Sequence, residues 1–255
     1  MTGFDPADLT RNAFLGGRLT LLQPRGGYRA GIDPVLLAAA CPARTGQSVL
    51  DLGCGGGVAG LCLAVRVPGI ALTGVELQPD YADLARKNAA LNGIAAEVVT
   101  ADIQTLPADL RQRNFDHVIA NPPYFREGRR SPSPDTGRET GLAETAPLKA
   151  WVDAAARRLA PKGTLTIIQR AERLPELIAA SLERLGSLQF LPIAGRVGRD
   201  AHLVLVHARK GGRAAPRLAA PLVLHEGDRH VTDGDDYTQR ISQVLRNGAP
   251  LNLWS

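Results

Sequence analysis

A stiff tetrapeptide follows an apolar run near the middle of the chain. The run "FDHVIAN", at 115–121, has the composition of a buried strand, and Asn121-Pro122-Pro123-Tyr124 stands at its end. Proline fixes φ and has no backbone N–H, so the pair forms a rigid turn that can aim the Asn121 side-chain oxygen and the Pro122 carbonyl at a ligand. Both groups accept hydrogen bonds, and Tyr124 adds a flat face on which a planar group can stack.

Two acceptors beside an aromatic face suit the chemistry of a planar amino group. The lone pair of an exocyclic or amide NH2 is delocalised into the adjoining π-system, which makes the nitrogen a poor nucleophile. Acceptors that hold its hydrogens favour a pyramidal nitrogen and point the lone pair at a methyl group, which is orientation and electrostatic help without a strong base. The alternative is a rigid turn with no chemistry.

A second segment, "LDLGCGGGVAG" at 50–60, has the pattern of a ligand-binding loop between a strand and a helix. Glycines there let the backbone turn tightly and approach a ligand closely. A dinucleotide fingerprint needs a further glycine at the position of Val58, so the pattern argues against an NAD site. Asp51 precedes the first glycine, where a carboxylate would repel a pyrophosphate but could bind an ammonium group. Cys54 is expected only to pack in the loop.

Two more acids end the strands that follow. Glu76 comes roughly 20 residues after the loop, at the interval where a carboxylate accepts hydrogen bonds from a ribose. Asp102 ends the next strand and could accept from an adenine amino group. Together with Asp51 and the glycine loop they describe a pocket for a ribosyl adenine with a positive, amino-acid-like arm, which is the shape and charge of S-adenosylmethionine. The alternative is that each acid only caps the following helix.

Short β-type runs alternate with amphipathic stretches along the chain, which predicts an α/β fold with a parallel sheet flanked by helices. Two strands joined by a short link come last, so the sheet should finish on an antiparallel pair. The predicted strands are 48–53, 70–76, 96–102, 115–121, 163–169, 188–194 and 201–210, and the predicted helices are 32–41, 57–67, 79–93, 148–160 and 174–186.

Three regions are expected from this organisation: a cap segment at 1–47, a ligand-binding domain at 48–210, and an extension at 211–255 that packs on the same domain. The turn-rich segment 126–141 is predicted to be a mobile surface loop. The chain has no long apolar run and no signal-like N-terminus, so a cytoplasmic protein without membrane contact is expected. Its three cysteines, odd in number and unevenly spaced, argue against disulfides and a zinc site, and we expect no metal.

These motifs resemble those of class I S-adenosylmethionine-dependent methyltransferases that methylate amino groups. Within that group, the chain looks most like the bacterial tRNA1(Val) adenine-N6 methyltransferase family. The segment "GGYRAGIDPVLLAAAC", at 26–41, is similar to the one that this family places before its glycine motif, and the resemblance covers about residues 10–210. It implies a Rossmann-like sheet of seven strands flanked by helices, with the last strand antiparallel.

The resemblance also implies the site residues. The catalytic residues would be Asn121, Pro122, Pro123 and Tyr124. The cofactor-binding residues would be Asp51, Gly53, Cys54, Gly55, Gly57, Glu76, Leu77, Asp102, Ile103 and Asn121.

The net charge of +5, most of it from arginine, favours an anionic partner, although a solvating surface would have the same composition. The arginines expected to contact RNA phosphates, or else to form a solvated loop, are Arg126, Arg129, Arg130 and Arg138. A later cluster with the same two interpretations consists of Arg196, Arg199, Arg209, Lys210, Arg213 and Arg217.

The acceptor predicted from the resemblance is the N6 amino group of an unpaired adenine in tRNA, in the anticodon loop. The alternatives are the glutamine amide of a release factor and another amino group in rRNA or DNA, since related tetrapeptides serve all of them. Release-factor enzymes usually carry an extra helical N-terminal domain, for which residues 1–47 leave little room. A nucleotide-binding regulator or NAD enzyme is a third hypothesis. Whether the protein is a monomer or a homodimer stays open.

Overall fold

A mostly parallel sheet of nine strands forms the centre of the computed structural model, which describes residues 3–126, 143–144, 146–229 and 236–253. Its seven longer strands are β3 (Ser48–Leu52), β4 (Ala71–Glu76), β5 (Ala96–Thr100), β6 (Phe115–Ala120), β9 (Leu159–Arg170), β10 (Gly186–Ala194) and β11 (Ala201–Arg209). Across the sheet they lie in the order β10-β11-β9-β6-β3-β4-β5. The α/β prediction is confirmed.

The predicted antiparallel end of the sheet is also confirmed, because β11 pairs antiparallel with both β9 and β10. The predicted count of seven strands is wrong by two. The extra strands, β12 (Arg217–Leu218) and β13 (Leu222–Val223), each pair in parallel with β10, the outermost of the seven longer strands on that side. A strand of two residues has no alternation of apolar and polar positions, so its sequence does not predict it.

Helices cover both faces of the sheet and begin within one residue of their predicted positions, but the predicted helix 174–186 is wrong at its end, since it stops at Leu182 and Gly186 already belongs to β10. The described helices are α1 (Asp33–Ala40), α2 (Val58–Arg66), α3 (Pro79–Leu91), α4 (Ala108–Gln112), α5 (Leu148–Arg158), α6 (Leu174–Leu182) and α7 (Gln239–Asn247). Just beyond α3, Gly93 takes the left-handed conformation that commonly follows the end of a helix, with φ of 63°. The α5 helix ends two residues before the predicted position, because a residue that precedes proline favours extended backbone and Pro161 is near.

The N-terminal segment contains a hairpin that the sequence did not predict. Its strands, β1 (Leu9–Phe14) and β2 (Leu19–Pro24), pair antiparallel. Two side-chain amides, from α3 and from its C-cap residue, hold it in place: Asn88 bonds both the N–H and the C=O of Leu22, and Asn92 does the same for Thr20. The chain then passes from the hairpin to α1, whose position in 32–41 is confirmed.

The C-terminal part of the chain packs against α1. The backbone N–H of Leu251 donates to Ala39 O, and Ile241 and Val244 of α7 are buried in the same core cluster as α1. The boundaries between the three predicted regions stay a prediction.

Two short strands, β7 (Phe125–Arg126) and β8 (Ala143–Glu144), pair in parallel just beyond the tetrapeptide. Most of the predicted loop 126–141 lies outside the described residues. None of the described helices is long and apolar enough to cross a membrane. In the described part of the chain, no group of three or more His, Cys, Asp or Glu side chains is placed to hold a metal ion.

Candidate active site

A cavity of about 560 Å³ lies where the carboxyl ends of β3, β4 and β6 meet. This edge of a parallel α/β sheet is where ligands bind in such folds, and the volume suits a small organic molecule. Every predicted cofactor-binding or catalytic residue except Gly57 lines it: Asp51, Gly53, Cys54, Gly55, Glu76, Leu77, Asp102, Ile103, Asn121, Pro122, Pro123 and Tyr124.

The glycine loop presents bare backbone to this cavity. Gly53 has φ of 65°, and a Cβ there would lie 2.4 Å from a ring carbon of Trp151, so no other residue fits without displacing the indole. Gly55 also has positive φ, and a Cβ there would meet no heavy atom of the described residues within 4 Å. Gly57 is the N-cap of α2, with φ of 85°, and it is not among the described residues that line the cavity. Its cofactor contact stays a prediction.

Cys54 is packed as the sequence indicated. A Cβ on Gly74 of β4 would lie 2.8 Å from its sulfur, so the thiol fills the space beside that glycine. Burial raises its pKa well above the ordinary range, which keeps the thiol protonated and unreactive.

Two of the three acids are buried in the floor of the cavity. Asp51 is 2% exposed and accepts one hydrogen bond at Oδ2 from the Gly60 N–H, at 3.0 Å. Burial, together with the nearby Glu76 carboxylate, raises the pKa of Asp51 to about 7. With a pKa near neutrality, the Asp51 carboxyl exchanges its proton readily, and a cation placed beside it would favour the carboxylate.

Glu76 is held by backbone donors on both sides. Its Oε2 accepts from the Gly55 N–H and its Oε1 from the Gln78 N–H, each at 2.8 Å. Burial raises the pKa of Glu76 above its ordinary value. Each carboxylate oxygen can accept a second hydrogen bond, so the group couples the glycine loop to whatever hydroxyl groups enter the cavity. Asp102 is fixed in a similar way, with Oδ1 accepting from the Gln104 N–H at 2.8 Å.

The tetrapeptide contributes an acceptor that no described residue satisfies. Asn121 Oδ1 is buried and lacks a hydrogen-bond partner within the described ranges. Gln169, the fully buried penultimate residue of β9, donates from Nε2 to the carbonyls of Pro122 and Pro123, at 3.3 and 3.4 Å. No sequence pattern indicated that role, because Gln169 is simply the last residue of a predicted strand.

An N-terminal stretch forms a further wall that sequence reasoning missed. The described lining includes Gly27–Gly31 and also Arg25, Asp33 and Pro34. Tyr124 donates its hydroxyl proton to Asp33 Oδ2, at 2.5 Å. The family resemblance of segment 26–41 indicated that this stretch matters, but no spacing rule identifies its tyrosine or its aspartate as a residue that lines the cavity. Trp151 of α5 is another missed member of the lining.

The structure divides the later cluster of basic residues. Strand β11 begins near the end of β9, at the cavity edge of the sheet, and runs away from that edge. Arg196 and Arg199 precede β11 and therefore lie near the cavity edge. Arg209 lies at the far end of β11, where it pairs with Thr164 near the start of β9. The six residues therefore do not form one patch. The Arg196 guanidinium binds the Asp236 carboxylate. The side chain of Arg126 and all of Arg129, Arg130 and Arg138 lie outside the described residues.

Comparison with known proteins places this cavity in context. Residues 30–189 match the family described as the methyltransferase small domain. The chain is 31% identical over 224 residues to the tRNA1(Val) (adenine(37)-N6)-methyltransferase of Aeromonas hydrophila, with 86% of this chain and 90% of that protein covered. It is 31% identical over 222 residues to the protein of the same name from Porphyromonas gingivalis, with 82% and 86% covered.

Solved structures agree in fold. The crystal structure of a predicted O-methyltransferase from Agrobacterium tumefaciens is 30% identical and covers 87% of this chain and 100% of its own, with a TM-score of 0.68. The 16S rRNA N2 G1207 methyltransferase of Thermus thermophilus, in complex with AdoMet and guanosine, has a TM-score of 0.55 at 21% identity, over 79% of this chain and 50% of its own, which supports the fold alone.

These matches confirm the resemblance to the tRNA1(Val) adenine-N6 methyltransferase family that the motifs indicated. They leave the role of each site residue as a prediction. The chain belongs to the methyltransferase small domain family, and it is a class I S-adenosylmethionine-dependent methyltransferase.

Proposed function

We propose that this enzyme methylates the N6 amino group of an unpaired adenine in tRNA, in the anticodon loop, and that it works in the cytoplasm. The relatives named as tRNA1(Val) adenine methyltransferases support the choice of tRNA and adenine. An unpaired base enters a pocket without the energetic cost of opening a duplex, which favours a loop over a stem.

The observation that carries this proposal is the unpartnered oxygen of Asn121. A buried acceptor without a partner costs about 1–3 kcal/mol, which is recovered when a donor arrives. An exocyclic amino group supplies that donor, and its second hydrogen can go to the Pro122 carbonyl, which keeps one lone pair free beside its bond from Gln169. With both hydrogens held, the nitrogen lone pair turns out of the plane of the base.

The carboxylates fit the rest of a cationic adenosyl cofactor. Asp51 would hold the ammonium group, Glu76 the ribose hydroxyls and Asp102 the adenine amino group, while Leu77 and Ile103 add apolar walls. When bound, S-adenosylmethionine supplies an electrophilic methyl group. The protein orients the acceptor nitrogen and excludes water around it, and the amino proton leaves to solvent after transfer, so no side chain must act as a strong base.

Phosphate contacts would come from the arginines after the tetrapeptide. Arg126, Arg129, Arg130 and Arg138 follow it directly in sequence, so they would meet an RNA whose base occupies the cavity. Such contacts position the RNA without reading its sequence, and they weaken as salt concentration rises.

The decisive experiment is mass spectrometry of nucleosides from total tRNA incubated with enzyme and cofactor, which should show N6-methyladenosine. Radiolabelled methyl groups should appear in ribonuclease-sensitive material. Label in protease-sensitive material instead would identify the glutamine amide of a protein as the acceptor and overturn the proposal.

Asn121→Ala tests the acceptor within the same assay. Loss of one preorganised hydrogen-bonding group should lower kcat by about 10²-fold to 10³-fold. The dissociation constant of S-adenosylhomocysteine should stay within about twofold, since the amide oxygen serves the acceptor base. Asn114→Ala, at an exposed position just before β6, is the matched control and should keep full activity. An active Asn121→Ala enzyme would remove the assigned role.

A further inference from the structure

Asp33 and Tyr124 meet in the wall of the cavity although 91 residues separate them in sequence. The Tyr124 hydroxyl donates to Asp33 Oδ2 at 2.5 Å, at the short end of the range for O–H···O hydrogen bonds. Burial, and after it the Asp33 carboxylate, raises the pKa of Tyr124 far above its ordinary value. The phenol therefore stays protonated and remains the donor at any working pH.

The aspartate stands on a rigid support. It is the first residue of α1, and all the residues from Pro34 to Ala40 are buried in the core. A carboxylate in the first helical turn is also favoured by the backbone N–H groups that point towards it. Because α1 cannot shift without disturbing that core, the position of Asp33 Oδ2 is fixed relative to the sheet.

Tyr124 is thereby held at both ends. Its backbone follows two prolines whose carbonyls are bound by Gln169, and its hydroxyl is bound by Asp33. A ring held in this way keeps a single orientation relative to the cavity. A second aromatic residue, Tyr28, lines the same cavity as Asp33 and Tyr124, and burial and then the Asp33 carboxyl group raise its pKa above the ordinary value.

We propose that Asp33 is a positioning residue for the acceptor base, acting through the hydroxyl of Tyr124. The inference rests on the proposed function, in which a planar base stacks on Tyr124 while its amino group is held by Asn121. The ring sets the plane of the base, and that plane decides where the nitrogen lone pair points. A loose ring would still allow tRNA to bind but would lower the fraction of bound bases in reactive alignment.

The expected effect is therefore on turnover. Most tRNA affinity comes from phosphate contacts, which Asp33 does not make under this proposal. Asp33→Ala should lower kcat by about threefold to tenfold, the range for ordering one side chain, and leave KM for tRNA and for cofactor within about twofold. Asp33→Asn keeps an oxygen acceptor and should restore at least half of the wild-type kcat.

A double-mutant cycle separates positioning from general damage. Tyr124→Phe removes only the hydroxyl and should match Asp33→Ala, and the double variant should be no slower than either single variant, since both remove the same hydrogen bond. Asp80→Ala, which removes a first-turn carboxylate from α3, is the control and should behave as wild type. Thermal midpoints of all variants show whether each one is folded.

Three results would overturn the inference: Asp33→Ala as active as wild type, effects of Asp33→Ala and Tyr124→Phe that multiply in the double variant, or Asp33→Asn as slow as Asp33→Ala. Failure of the proposed function shows differently. It appears in the wild-type enzyme itself, which would then form no N6-methyladenosine in tRNA.

Discussion

Replacing Asp51 with asparagine is expected to stabilise the cofactor-free protein above neutral pH while weakening its affinity for cofactor. Burial raises the pKa of this carboxyl from an ordinary 3.8 to about 7. The native state therefore keeps a proton that the unfolded chain loses between about pH 4 and 7, so stability falls as pH rises through that window. Ionising Asp51 in the folded protein rather than in the unfolded chain therefore costs roughly 4 kcal/mol of stability above pH 7.

Asparagine removes the ionisation but not the buried polar group. Its oxygen can still accept from the Gly60 N–H, while its NH2 group costs about 1–2 kcal/mol if it lacks a partner. The net gain for Asp51→Asn should be about 2–3 kcal/mol in the free energy of unfolding at pH 8. It should fall to about zero near pH 5 and become a loss of about 1–2 kcal/mol near pH 4, where only the cost of the amide remains. Urea unfolding of both proteins without cofactor, at pH 5 and pH 8, measures this difference.

Cofactor binding should show the opposite pH dependence. With a pKa of about 7, the ionised fraction of Asp51 falls roughly tenfold between pH 8 and pH 6, and the dissociation constant of S-adenosylhomocysteine should rise by the same factor. Calorimetry at both pH values tests this, with Asp51→Asn expected to bind weakly and without that pH dependence. A wild-type affinity that is independent of pH, or an unchanged slope in Asp51→Asn, would refute the assigned role. In the latter case Glu76→Gln would be the next variant to test.

Three further predictions concern the loop, the core and the surface. Gly53→Ala should cost about 1–3 kcal/mol in unfolding free energy, because its Cβ would overlap the indole ring of α5; Gly46→Ala, with positive φ but open space, should cost less. Burial lowers the pKa of His117 to about 4, so this histidine should contribute a loss of about 2 kcal/mol in unfolding free energy between pH 8 and pH 5, as the unfolded chain takes up a proton; the difference between wild type and His117→Gln in urea unfolding at the two pH values measures that contribution apart from the opposite one of Asp51. Arg199→Ala should reduce the slope of log affinity for tRNA against log salt concentration by about 0.7–0.9. Arg213→Ala, at the end of the strands away from the cavity, should leave that slope unchanged. Equal slopes for the two variants would contradict the division of the basic cluster.

The positions of the acids and the tetrapeptide were predictable because parallel strands bring their carboxyl ends to one edge. Asp51, Glu76, Asp102 and Asn121 come from separate strand ends, and all four line one cavity. No knowledge of their mutual distances was needed, since the order of strands and helices already determines which ends of the strands meet.

The rest of the site depends on contacts that sequence spacing does not encode. Asp33 contacts Tyr124 although 91 residues separate them in sequence. Trp151 packs over Gly53 from α5, and the apolar pattern of that helix does not distinguish a residue that contacts the loop from one that only fills the core. The hairpin was missed for a related reason. Its inner strand, "LTLLQP", breaks the apolar and polar alternation at Leu22, and side-chain amides from α3 and from its C-cap residue hold its backbone.

One of those amides joins distant parts of the chain into a single unfolding unit. Asn88 is fully buried, and it bonds Leu22 of the hairpin on one side and donates to Gly56 O of the glycine loop on the other, at 2.9 Å. If the hairpin detached alone, the amide would lose two partners, at about 1–3 kcal/mol for each group left unsatisfied. The same side chain therefore supports both the hairpin and the loop, and we expect a cofactor that orders the loop to slow hydrogen exchange in the hairpin as well.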